Sequence, residues 1–190
     1  MAQAKTLNEA ELQRVLDYVS NKRYGQRDRA MLLISHLSGM RVGEIASLTV
    51  GHVLDSNDQI RSEIRLTAEQ TKGKHPRTVF VNRKLKEELE HYVKLIRTDD
   101  KERTLFPTQK NPRKGFTANT MTQHFLYLYR EAGIDGASSH SGRRTFATSI
   151  ASKGTSLRVL MRLMGHRNVS TTAVYIDAND NMLRNAVELV

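Results

Sequence analysis

The sequence predicts a mainly helical α+β domain carrying one small three-stranded antiparallel sheet. Two observations carry that expectation. Apolar residues recur at helical spacing along most of the chain, and one stretch, from about 51 to 82, switches to strand-like runs broken by a turn-rich segment. A length of 190 residues suits one domain able to bury a core without covalent staples.

The elements follow in order. Thr6-x-x-Glu9 reads as a capping box opening a helix over about 7–21, with Leu12, Val15, Leu16 and Val19 on one face. A second helix is expected over about 27–37, with Gly39 as its stop, and a short third one from Val42 to Leu48. Arg41 therefore falls near a helix N-terminus, where free N–H groups also favour a phosphate. Ile60, Ile64, Leu66, Val79 and Val81 mark the three strands, and the segment Thr71-Lys72-Gly-Lys-His-Pro-Arg77 is the turn of the central hairpin. Leu85, Leu89, Val93 and Ile96 sketch another amphipathic helix, and residues 98–116, with Pro107 and Pro112, read as loop. The remainder is expected to be helical over about 117–132, 139–153, 156–164, 170–177 and 180–189.

Composition narrows the class of partner. The formal charge is +10, an excess of cations that a polyanion would accept, because each Lys or Arg on a phosphate releases condensed counterions. Nucleic acid is the expected partner. The chain has no cysteine, which excludes disulfides, thiol nucleophiles and cysteine-based zinc sites. No apolar run is long enough to span a bilayer and the N-terminus lacks the apolar core of a signal peptide, so a cytoplasmic location is expected, nucleoid-associated if the source is bacterial.

Specific chemistry is suggested by an ordered set of residues: Ser38-Gly-Met-Arg41-Val-Gly-Glu44, then Lys72 in its turn, then His140-Ser-Gly-Arg143, Gly165-His166 and, nine residues after that histidine, Tyr175. A lone His-x-x-Arg would be weak evidence; the ordered set is not. It resembles the catalytic domain of the tyrosine recombinase (phage integrase) family over nearly the whole chain. The resemblance implies a fold in which helices and a small sheet form a C-shaped face against DNA. It also implies a catalytic set of Arg41, Lys72, His140, Arg143, His166 and Tyr175.

Each implied role has a chemical reason. Cleaving a phosphodiester with a tyrosine builds negative charge on the non-bridging oxygens of a pentacoordinate phosphorus. Two guanidiniums, Arg41 and Arg143, match those oxygens and stay charged. A phenol ordinarily titrates near ~10, so a tyrosine nucleophile needs its proton taken or its anion stabilised. By resemblance His140 is the base or proton shuttle and His166 a hydrogen-bond donor to the phosphate, with the two roles exchangeable. Lys72 is the general acid for the leaving 5′ oxygen, and Lys74 is its nearest rival for that part. No cofactor is expected, and no metal, since the cations already perform the neutralisation that two-metal nucleases give to Mg²⁺. Asp177 and Asp180 read as helix-end or capping residues and Glu44 as an ion-pair partner of nearby cations.

Further DNA contacts are expected in two groups. Lys74, Arg77, Lys110, Arg113 and Lys114 would meet backbone phosphates. Asn119, Thr120 and Gln123, on a helix whose Met121, Phe125 and Leu128 turn inward, would approach the major groove by resemblance. Arg144 and Arg162 complete the basic candidates, with Arg158 and Arg162 both divided between solvent and DNA. Leu157, Leu160, Met161 and Met164 read as a core stripe. Tyr18, Tyr24, Tyr92, Tyr127 and Tyr129 read as structural aromatics.

Most members of the family carry an additional N-terminal helical domain that completes a clamp around DNA. Here 1–190 is expected to be a single catalytic domain, like the short fimbrial-switch invertases, starting naturally at Met1 or trimmed from a longer chain. The apolar residues of 181–190 imply, by resemblance, a helix docking on a neighbouring protomer in a tetramer on two DNA sites; packing on the chain's own core is the alternative. Accessory DNA-bending proteins are further possible partners. The expected activity is site-specific recombination through a 3′-phosphotyrosine and a four-way junction. Its rivals are relaxation of the type IB topoisomerase kind and a catalytically silent DNA-binding regulator.

Overall fold

The computed structural model describes residues 4–96, 98–175, 184, 187 and 188. Helix α1 (Glu9–Ser20) is capped by Asn8, whose side chain accepts from the Glu11 N–H while the Glu11 carboxylate accepts from the Asn8 N–H. The capping box is thus Asn8-x-x-Glu11 and not the expected Thr6-x-x-Glu9. Both stretches satisfy the same short pattern, and the one that starts nearer the buried Val15, Leu16 and Val19 caps the helix.

Helix α2 (Gly25–Ser38) runs through the middle of the molecule, packed against α1, α5 (Arg83–Ile96) and α7 (Ser141–Ala151). Its run Ala30-Met-Leu-Leu-Ile34 is buried all round, as expected of a helix enclosed by neighbours. It stops at Gly39 in a left-handed conformation, φ 66°, and a Cβ there would lie 2.5 Å from the Phe146 ring. The next turn, α3 (Val42–Ala46), opens at Arg41 as expected. Helix α7 crosses α2 closely: a Cβ on Gly142 would lie 2.5 Å from Ser35 Oγ. The glycine between His140 and Arg143 therefore sets how near the two site-bearing helices approach.

Among the described residues the sheet has two strands, not three. β1 (Glu63–Leu66) pairs antiparallel with β2 (Arg77–Phe80) in the register Ile64↔Val79, and Ile64, Leu66 and Val79 face the core. The missing strand was expected around Ile60, which makes a lone bridge to Leu54. Residues Val50–Val53 form the short helix α4 instead, with the Thr49 N–H donating to His52 Nδ1 at 3.0 Å. Asp55 then closes a tight turn by accepting from the Asn57 and Gln59 N–H groups, leaving too little extended chain for a ladder.

In the C-terminal half, α6 (Ala118–Glu131) is capped by Thr117 and turns Met121, Phe125 and Leu128 inward as expected. The preceding loop is pinned by the fully buried Leu105 and Phe106, with Phe106 stacked on Tyr92 at 5.4 Å. Helix α8 (Leu157–Met164) buries Leu160 and Met164 against Ala147 and Ala151 of α7, a small second core on which Tyr175 also packs. It ends at Gly165, φ 61°, and α9 (Val169–Ala173) follows. Most of the expected 180–189 helix, and with it the 181–190 tail, Asp177 and Asp180, lies outside the described residues. No described helix is long and apolar enough to cross a membrane.

Candidate active site

Arg143, on the first turn of α7, is the buried centre of the site at 4% exposure. Its Nη1 donates to the carbonyl of Gly39, its Nη2 to the carbonyl of Met164, and Nη2 also donates to His166 Nε2 at 2.9 Å. The guanidinium is thus fixed by the ends of two helices whose carbonyls would otherwise lack partners. Burial first, then the charges of Arg41 and Arg77, push it down to about 9, with Glu44 and Tyr175 opposing; it stays charged at neutral pH.

His166 follows directly because α8 ends in a left-handed Gly165, where a Cβ would meet Arg77 Cδ at 2.6 Å. Its Nδ1 lies 2.9 Å from the hydroxyl of the fully buried Thr172. Since Nε2 accepts from Arg143, the ring proton belongs on Nδ1, donated to Thr172. That differs from the expected donor to a phosphate, which requires the proton on Nε2. Loss of solvent, and then Arg143, Arg41 and Arg77, hold this imidazole at about 4, so it is neutral at neutral pH. The Tyr175 ring stacks on it with centroids 6.1 Å apart, and the Arg144 guanidinium lies 6.0 Å from the Tyr175 ring.

Glu44 organises the other cations. At 1% exposure it accepts from Arg41 Nη1 at 3.1 Å and from the Arg41 N–H at 2.8 Å. It also accepts from Arg77 Nε at 3.1 Å and Nη2 at 2.8 Å. Burial pushes its carboxyl up, but Arg77 and Arg41 outweigh that and hold it below the usual carboxylate range. The third donor of Arg77, Nη1, goes to the Leu163 carbonyl at 2.8 Å. Arg77 was expected on a DNA phosphate; the structure instead commits its guanidinium to Glu44 and the end of α8, with the side chain 8% exposed. A basic hairpin gives no local sign of this, because Glu44 lies 33 residues upstream.

His140, the N-cap of α7, is exposed, with Nδ1 3.3 Å from Ser139 Oγ. Reduced solvation, then Arg143, Arg41 and Lys72, lower its basicity, so the charge of Lys72 is felt at the site. Lys72 itself is exposed on the β1–β2 loop, with Lys74 two residues on at φ 50°.

The structure therefore brings Arg41, His140, Arg143, His166 and Tyr175 together, with Lys72 approaching from the hairpin. The remaining candidates are more scattered. Ala118, at the start of α6, sits beside Gly43, which carries the exposed Asn119 close to the Arg41 corner. The Thr120 hydroxyl is spent on the Thr117 cap, whereas Gln123 lines a shallow groove with Tyr127 and Arg130. Lys110, Arg113, Lys114, Arg158 and Arg162 are exposed. Two contributors went unnoticed in the sequence: Thr172, which orients His166, and Arg167, whose Nη1 donates to His75 Nε2 at 2.7 Å. Thr172 lies three residues before Tyr175, on the one turn of α9 that faces back to the histidine, a spacing that could have flagged it.

Known proteins resemble this chain in sequence and in fold. The chain is 28% identical over 97% of its length to the tyrosine recombinase XerA of Pyrococcus furiosus, spanning 61% of that protein. It is 33% identical over 90% of its length to the tyrosine recombinase XerD of Pseudomonas putida, spanning 56% of it. The chain thus covers about three fifths of these relatives' own length. A crystal structure of XerA recombinase superposes with a TM-score of 0.75 at 27% identity, covering 100% of this chain and 66% of that one. The Tn1549 transposon integrase in complex with transposon right end DNA shares the fold at a TM-score of 0.75 and 20% identity. The sequence profile described as the phage integrase family matches residues 5–182. On sequence profile, fold and the clustering of the ordered residue set, this chain belongs to the phage integrase family.

Proposed function

We propose that this chain is the DNA-cleaving and rejoining domain of a site-specific tyrosine recombinase. The observation that carries the reading is the meeting of Arg143, fixed by the Gly39 and Met164 carbonyls, with His166, on whose ring Tyr175 stacks. Two guanidiniums pair with the one buried carboxylate there and the third, Arg143, feels the charge of all of them, an excess of positive charge suited to an anionic group.

In this mechanism the Tyr175 oxygen attacks the scissile phosphorus and its proton passes to the neutral His140. Arg41 and Arg143 hold the non-bridging oxygens. The bond from phosphorus to the 5′ oxygen breaks, and that oxygen takes a proton from Lys72. A 3′-phosphotyrosine and a 5′ hydroxyl result; attack by a second 5′ hydroxyl reverses the step without ATP. As a phosphate oxygen takes over Arg143 Nη2, His166 moves its proton to Nε2 and donates to the phosphate. Thr172 reverses its hydroxyl to donate to Nδ1, so the tautomer changes without losing a hydrogen bond.

The biological partner in this reading is double-stranded DNA, bound as a tetramer on two sites, with accessory DNA-bending proteins as further partners. Exposed Lys74, Arg113, Lys114, Asn119, Gln123 and Arg162, with the half-buried Arg144, extend the cationic and polar face. The deciding experiment incubates the protein in EDTA with nicked duplexes tiled from the DNA flanking its gene. A covalent protein–DNA adduct on a denaturing gel, present in wild type and absent in Tyr175→Phe, is expected. Duplex binding without any adduct would instead favour a silent regulator.

A further inference from the structure

We propose that His75 and Arg167 are positioning residues, clasping the Lys72 loop so that its amine is held over the leaving 5′ oxygen. The inference rests on the recombinase reading above. Lys72 lies in a loop closed on itself. The Thr71 hydroxyl, part of a residue only 8% exposed, donates to the His75 carbonyl at 2.7 Å and accepts from the His75 N–H at 3.1 Å. The Lys74 N–H donates to the Thr71 carbonyl at 3.1 Å. One side of the loop is footed on the Arg41 corner, because Gln70 Nε2 donates to the carbonyl of Ser47, the C-cap of α3, at 3.1 Å.

The other side is footed on the segment that holds His166 and Tyr175. Arg167 directly follows His166 and precedes Asn168, the N-cap of α9. Its Nη1 reaches across 92 residues of sequence to His75 Nε2 at 2.7 Å. No carboxylate pairs with Arg167 among the described residues. A hydrogen bond between two exposed side chains adds little to stability, so its consequence is geometric. It fixes the second foot of the loop, and a long flexible amine presented by a loop with one foot free would spend less time near the leaving group.

The test uses the full chain and two versions of a cleavable nicked duplex, one with the ordinary 5′ oxygen at the scissile bond and one with sulfur in its place. An alkoxide needs a proton to depart, whereas a thiol ionises near ~8.5 and leaves as the thiolate, so sulfur removes the need for Lys72. On oxygen DNA, His75→Ala and Arg167→Ala should each slow adduct formation about tenfold, a fraction of what losing a general acid costs. The double variant should be no slower than either single, since the two act as one unit. On sulfur DNA all three should come within about twofold of wild type, as should Lys72→Ala. Arg167→Lys, which keeps a cationic donor, should restore most of the rate on oxygen DNA.

Wild-type rates for both single variants on oxygen DNA would overturn the clasp, and so would equal losses on the two substrates, which would place the effect in DNA binding or the nucleophile. If wild type itself forms no Tyr175-dependent adduct with either substrate, the recombinase reading falls and the clasp with it.

Discussion

Arg143 and Glu44 are 4% and 1% exposed and tied to backbone carbonyls or to other charges, so the cradle they form is part of the core. Lys72 stands on an exposed loop held by a few hydrogen bonds at its feet. The difference follows the chemistry of the proposed reaction. Groups that stabilise charge on a phosphate work best when already fixed, because preorganised dipoles need no rearrangement as charge develops. A group that delivers a proton to a departing oxygen has to follow it, and a surface loop permits that. The cradle should therefore be where stability and activity fall together, and the loop where they separate.

Glu44→Ala should produce the largest loss of stability. It strands Arg41 and Arg77 beside Arg143, and breaking a buried pair from one side costs about 3–5 kcal/mol. Urea denaturation measures it, and a change below about 1 kcal/mol would mean the cradle does not depend on its carboxylate.

Acidification should come next. His36, 5% exposed on α2, is pushed by burial down to about 4, with Nε2 3.1 Å from Tyr129 Oη and Nδ1 without a partner among the described residues. The unfolded chain gains this proton near pH ~6.5, but the folded chain only near the lower value. Its contribution is therefore fully present above ~6.5 and is lost as pH falls, by on the order of 3 kcal/mol in all. His52, His140 and His166 are lowered in the same direction and steepen the slope. Glu44, also lowered, adds its loss at more acid pH. Stability curves at pH 7 and pH 4.5 should differ less for His36→Gln than for wild type. Parallel curves would remove His36 from the account.

The smallest stability effect belongs to the loop. Lys72→Ala should leave unfolding within about 0.5 kcal/mol of wild type while slowing cleavage about 10²- to 10⁴-fold. A matching loss of stability would put Lys72 in the cradle class and undo the contrast.

The helices were legible because their apolar spacing records one buried face, as in α5 with Leu85 and Leu89 and α6 with Met121 and Phe125. The third strand was misread for an equally physical reason. Ile60 is buried at 5% exposure, but a single bridge to Leu54 suffices to bury it, and burial alone does not reveal a ladder. The ordered residue set was legible in the sequence, and its members around Arg143 come together in the fold. The destination of Arg77 was not, because nothing near Thr71-Lys72-Gly says that its guanidinium turns inward to Glu44 while Lys72 and Lys74 turn outward.

By itself, then, the sequence determined the helical periods, the stop at Gly39, the cationic excess and the ordered residue set from which the proposed reactive groups are drawn, all of which depend on local conformation or on residue type. Only the tertiary structure decided which arginines are structural and which face the site, that Thr172 holds the proton of His166, and that His75 meets Arg167. Apart from the short His166–Thr172 bond, those choices are made by hydrogen bonds between segments far apart in the chain, while Gly142 and Gly165 leave no room for a side chain beside Ser35 and Arg77.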